Sequence, residues 1–82
     1  MRLQRGMVVC AVAGKEKDGY YLVLKLEERF VFLVDGKHRP LEKPKRKNIK
    51  HIRPTAEVWE VDGLTNKELR RKLCEYAAKG GI

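Results

Sequence analysis

Apolar residues fall in three short runs over the first half of the chain. Met7 to Val12 is a β-prone run bounded by Gly6 and Gly14. Runs of that length between glycines predict a strand. Lys15-Glu16-Lys17-Asp18-Gly19 is a charged turn, and its Asp-Gly pair is a hairpin signal. Tyr20 to Leu26 predicts a second strand. Lys25 is its one charge, which places Leu22, Leu24 and Leu26 inward and the odd positions toward solvent. Glu27-Glu28-Arg29 turns the chain into a third strand, Phe30 to Val34, rich in aromatic and β-branched residues. Its two phenylalanines are expected to pack in the core. Asp35-Gly36 ends it with another turn.

Polar positions dominate afterwards. Pro40 and Pro44 exclude a helix and a central strand. A short edge strand is expected over 39–43, an exposed loop over Lys45-Arg46-Lys47, and a last short strand or single turn over 48–53. Residues 55–64 read as a connector with Val58, Trp59 and Val61 as apolar points. Trp59 is expected to pack that connector onto the barrel, with a partner anchor as its other role. Thr65-Asn66-Lys67-Glu68 fits a capping box, with Leu64 and Leu69 at the staple positions. Leu69, Leu73, Tyr76 and Ala77 then recur at helical spacing up to Gly80-Gly81. The order is thus about five short strands over residues 1–54 and a helix over residues 65–79. Five strands with tight turns predict a small closed or half-closed barrel, since closure removes exposed sheet edges.

Charge changes this picture. The stretch from Lys37 to Arg53 carries eight Lys or Arg against one acid, while the other residues hold eleven bases against ten acids. The positive balance is therefore local. A dense cationic patch attracts polyanions because neutralised phosphates release condensed counterions, and a calculated pI of 9.8 fits a nucleic-acid binder. The arginines, Arg39, Arg46 and Arg53, can fork to a phosphate or stack on a base; Lys37, Lys43, Lys45, Lys47 and Lys50 act as point charges. The plain alternative is a solvated face that keeps a small domain soluble. Lys67, Arg70 and Arg71 share the side of the helix opposite its apolar stripe and read either as a second basic face or as an ordinary charged one. Without an evident aromatic stacking pair, the expected target is a folded nucleic acid met through shape and phosphate.

Other chemistry finds little footing. The chain of 82 residues is one domain at most, with little room for a deep cleft. Catalytic Ser/His/Asp or Cys/His arrangements and phosphate-cradling glycine loops are not evident. His38 and His51, with Cys10 and Cys74, lack zinc-site spacing, and the imidazoles read as nucleic-acid contacts or surface residues. The cysteines read as reduced thiols. The expectation is a non-catalytic protein without metal, cofactor or small-molecule substrate. No run approaches the ~20 apolar residues of a membrane span, and Met1 to Gly6 lacks the features of a signal peptide, so the expected location is cytoplasmic.

Gly6-Met7-Val8-Val9-Cys10-Ala11-Val12-Ala13-Gly14-Lys15-Glu16-Lys17 resembles a KOW motif. The continuation through Tyr21-Leu22-Val23-Leu24, Phe32-Leu33-Val34-Asp35-Gly36, Arg39-Pro40-Leu41 and Lys43 to Ile52 is similar to the small bacterial KOW-domain RNA-binding proteins related to ribosomal protein fourteen-e. Many members have Gly straight after the second turn lysine, where Asp18 stands here. The resemblance covers roughly residues 4 to 53. It implies a five-stranded SH3-like barrel and binding to RNA, ribosomal RNA above all, with Lys15 and Lys17 of the KOW turn and the basic loop facing it. The expectation is a monomer, associated with the ribosome or translation. The alternative is a protein-interaction module that docks on ribosomal proteins or transcription machinery through Trp59 and the C-terminal helix.

Overall fold

The three glycine- and turn-bounded apolar runs form the centre of one antiparallel sheet in the computed structural model, which describes residues 3–14 and 19–80. β1 is Met7–Ala11, β2 Tyr20–Leu26 and β3 Phe30–Val34. β4, Lys45–Asn48, leads through a 3₁₀ turn at Ile49–His51 into β5, Ile52–Val58. A single helix, α1, spans Asn66–Ala78. The spatial order is β4-β3-β2-β1-β5, so β1 to β3 are flanked and β4 and β5 are the ends of the sheet. The fold is mainly β, small and barrel-like. No helix among the described residues is long and apolar enough to cross a membrane.

Both faces of the sheet carry buried apolar side chains. Met7, Val9, Val23, Val31, Leu33 and Ile52 form one apolar cluster, which is the inside of the curled sheet. Val8, Leu22 and Val34 point the other way and meet Leu69, Leu73 and Tyr76 of α1 together with Val61. This explains why β1 is apolar at every position and shows no alternation. The stripe on α1 is thus used on the outside of the barrel. Tyr76 sits edge-on between Tyr20 and Trp59, with centroids 5.2 and 6.1 Å away.

Several boundaries differ from expectation. In β2, Val23 is buried inside the barrel and Leu26 is 38% exposed. A bulge between Val23 and Lys25 resets the phase, so that Lys25 lies opposite Phe32 and shares its face. Residues 39–43 do not form an edge strand; they make bends and a turn in which the Lys43 N–H donates to the Pro40 carbonyl at 2.9 Å. The edge strand is Lys45–Asn48 instead, hydrogen-bonded to β3 despite having no apolar residue. The sheet also runs past residue 54 to Val58. Pro54 is tolerated because β5 is an edge, and Thr55 repairs the ladder there. Its hydroxyl donates to the Val8 carbonyl at 2.6 Å and accepts from the Glu57 N–H at 3.1 Å.

Helix α1 starts as its sequence predicts. The Thr65 hydroxyl accepts from the Glu68 N–H, and the Glu68 carboxylate accepts from the Thr65 N–H, closing the capping box. Its docking depends on Gly36, which has φ +81° and lies so close to the first turn of α1 that a Cβ would run into the Asn66 carbonyl.

Candidate nucleic-acid interface

The basic segment begins as a loop held against α1. The Asp35 carboxylate accepts from the N–H groups of Lys37 and Arg39 at 2.9 and 2.8 Å, and Asp35 and Gly36 both donate backbone N–H groups to the Arg39 carbonyl. His38 Nδ1 lies 3.9 Å from the same carboxylate. Further on, the Asn66 side-chain oxygen accepts from the Leu41 N–H at 2.8 Å, while its Nδ2 donates to Glu42 at 2.7 Å. The single acid of the segment therefore faces the start of α1, where negative charge suits the helix dipole.

Strand alternation then divides the cations. Lys45-Arg46-Lys47 is not an exposed loop. Arg46 pairs with Phe32 on the outer face, whereas Lys47 pairs with Val31, whose side chain lines the barrel interior. Arg46 is exposed and Lys47 is buried. Asn48 ends the strand, and its Oδ1 accepts from the Lys50 N–H at 2.9 Å, setting the 3₁₀ turn that exposes Lys50 and His51. Arg53 is exposed on β5 opposite Cys10. The segment thus runs from the start of α1, along the β4 edge, to the 3₁₀ turn and β5. Lys37, Lys43, Arg46, Lys50 and Arg53 are exposed without a salt bridge among the described residues. Arg39 and Lys45 are half-buried.

The second basic face is only partly set apart. Lys67, Arg70 and Arg71 are all exposed. Arg71 lies 3.7 Å from Glu75, one turn on. Arg70 instead lines a groove with Lys37, Asp35, Tyr20 and Leu73, so the helix and the loop share a cationic border. Lys15 and Lys17 fall outside the described residues.

Three residues absent from the sequence-based set stand out: Lys25, Phe30 and Phe32. The two phenylalanines belong to neither apolar cluster, contrary to the core placement expected for them; they are half-buried on the outer face of β3. The Arg46 guanidinium lies 4.1 Å from the Phe30 centroid, and Lys25 Nζ lies 5.6 Å from that of Phe32. β3 is apolar at every position, so its pattern hides which side leaves the core. The signal that exposes it is Lys25 on the neighbouring strand, once the bulge places it across from Phe32.

Trp59 packs at home. Its Nε1 donates to Glu57 at 2.8 Å, Tyr76 meets it edge-on, and Lys72 Nζ lies 4.8 Å from its ring. Among the described residues no three His, Cys, Asp or Glu side chains gather where a metal ion would bind, and Cys10 is half-buried while Cys74 is exposed. No protein-family model matches the chain.

Proposed function

We propose that this protein is a non-catalytic RNA-binding protein, a KOW-type barrel that meets ribosomal or other structured RNA in a ribosome- or translation-linked setting. The observation that carries the reading is the set of exposed cations Lys37, Lys43, Arg46, Lys50 and Arg53, without a salt bridge among the described residues, while the one acid of their segment turns to Asn66. Folded proteins commonly pair or intersperse surface charges; exposed cations without a salt bridge among the described residues, carried in turn by the loop, β4, the 3₁₀ turn and β5, are suited to phosphate oxygens. The resemblance of residues 4 to 53 to KOW-domain proteins supplies the choice of RNA over DNA. The competing reading, docking on a protein through the helix, has less surface to use, because Leu69, Leu73 and Tyr76 are buried against the barrel.

The test is a salt titration of binding to a labelled RNA hairpin. With about six phosphate contacts, affinity falls roughly a thousandfold between about 50 and 200 mM salt on a duplex-like target. Replacing Lys37, Lys43 and Lys50 together by Glu weakens binding more than about tenfold and flattens the salt slope by about 0.9 for each phosphate no longer neutralised. Affinity that ignores salt, or that survives this triple reversal, rejects the reading. Equal affinity for duplex DNA would reject RNA as the specific target.

A further inference from the structure

The outer face of β3 is divided. Val34 lies beneath α1, while Phe32 and Phe30, the next two positions on that face, lie beyond both apolar clusters. Two aromatic rings on a sheet surface stabilise a fold poorly unless something covers them, and the covers here are cations, Arg46 over Phe30 and Lys25 over Phe32. An adjoining recess is lined by Arg29, Asn48, Ile49 and Lys50, and Asn48 is the cross-strand neighbour of Phe30. Glu27 and Glu28 of the β2–β3 turn are the acids close by in sequence.

We infer that this face is a stacking platform for unpaired nucleobases of single-stranded RNA, with Phe30, Phe32 and the Arg46 guanidinium plane as its stacking elements. The inference deepens the RNA-binding reading and rests on it. The occupant must be flat, apolar on its faces and anionic at its edge, because the rings are bordered by point charges suited to phosphate. An unpaired nucleotide has these properties; a base inside a duplex has both faces already stacked and offers none. The Phe30 ring backs the guanidinium of Arg46 on one side, and Arg planes stack bases as aromatic rings do. Lys25 is a looser cover. An exposed cation–π contact is worth about 0.5–1 kcal/mol, and a stacked base about 1–3 kcal/mol. A base therefore displaces the ammonium from Phe32, and the flexible lysine stem lets that ammonium follow the phosphate. The platform lies on the same strand pair as the β4 edge cations, so one strand of RNA can use both.

The experiment compares two labelled probes, an oligouridine of about a dozen nucleotides and an RNA duplex of similar length, a span matched to single-strand sites of this kind. The variants are Phe30→Leu with Phe32→Leu, Arg46→Lys, and Phe30→Tyr with Phe32→Tyr as the conservative control. Thermal denaturation of each checks that it is folded. The double Leu variant should bind oligouridine roughly tenfold to a hundredfold more weakly, with duplex affinity and salt slope unchanged. Arg46→Lys should weaken oligouridine with the charge intact, and the Tyr pair should restore binding. Unchanged oligouridine affinity in the Leu variant, or an equal loss on both probes, overturns the platform. Wild-type protein that binds the duplex but not oligouridine also overturns it and leaves the RNA-binding reading standing. Failure to bind either probe at low salt brings down both.

Discussion

The outside of the sheet has two halves built from the same strands. In one, Val8, Leu22 and Val34 disappear beneath α1. In the other, Phe30 and Phe32 continue the same face of β3 beneath the cations Arg46 and Lys25. The difference is not hydrophobicity, since phenylalanine is at least as apolar as valine. It is reach: the start of α1 sits against Gly36 and its apolar residues join Val34 in one cluster, while Phe32 and Phe30, farther along β3, are in neither apolar cluster. An apolar surface that a fold leaves beneath mobile charges is available to a ligand, whereas one beneath a helix is available only if the helix leaves. This contrast makes the covered half the source of stability and the bare half the more informative one for function.

The strongest way to break the contrast is to empty the covered half. Leu69 is fully buried, and Leu69→Ala should cost about 3 kcal/mol of unfolding free energy, from lost transfer energy and the cavity left behind. Urea denaturation reads this directly. A loss below about 1 kcal/mol would mean that the helix is only loosely seated. Gly36→Ala attacks the same seat from the loop side. The left-handed backbone strains an L side chain by roughly 1–2 kcal/mol, and the added Cβ meets the Asn66 carbonyl, so a total near 2 kcal/mol or above is expected by the same measurement. That substitution should also loosen the loop carrying Lys37 and Arg39, because Asn66 holds Leu41 and Glu42.

The bare half sharpens the contrast in the other direction. Phe32→Leu should cost under about 1.5 kcal/mol, about half the effect at Leu69 or less, because the ring contributes to neither cluster. A cost equal to that of Leu69→Ala would make Phe32 a structural residue and remove the premise of a stacking surface.

How much of this was legible in the chain depends on how local each signal is. Helix α1 could be read almost to the residue, because the Thr65–Glu68 capping box and the Leu69, Leu73, Tyr76 spacing are short-range patterns. β1 to β3 were marked by apolar runs between turns. β4 was not: Lys45-Arg46-Lys47-Asn48 is a strand only because β3 offers its free edge, a partner remote in sequence. β5 was hidden by Pro54, a breaker in general and tolerable on an edge, and by Thr55, whose hydroxyl substitutes for a ladder bond. The site follows the same rule. Charge density named the basic segment, but its division into outward Arg46 and inward Lys47 required the β4 register. Phe30 and Phe32 were invisible as surface residues because a strand covered on both faces at one end has no alternation to read.

The smallest expected effect concerns the anchor of α1 and separates the two halves by pH. Glu68 accepts from the Thr65 backbone N–H and hydroxyl, and Arg71 and Lys72 stand nearby; these hold its carboxyl below the ordinary carboxylate value. The unfolded chain lacks the cap, so it binds the proton more readily than the folded one. The contribution is therefore complete above the unfolded pKa and disappears as pH falls through the lowered one. Glu68→Gln keeps an acceptor for the cap but removes the charge. Its urea midpoint should lie slightly below that of the wild type at neutral pH and converge with it in strong acid. Because the carboxylate is fully exposed, water and salt screen it, and the difference should narrow further at high ionic strength. The cost of Phe32→Leu should stay constant over the same range, since the charge over that ring is an ammonium and not a carboxylate. A pH-dependent Phe32 effect would mean that the bare half is tied to the helix after all, and a difference at Glu68 that persists in acid would mean that the cap acts through shape rather than charge.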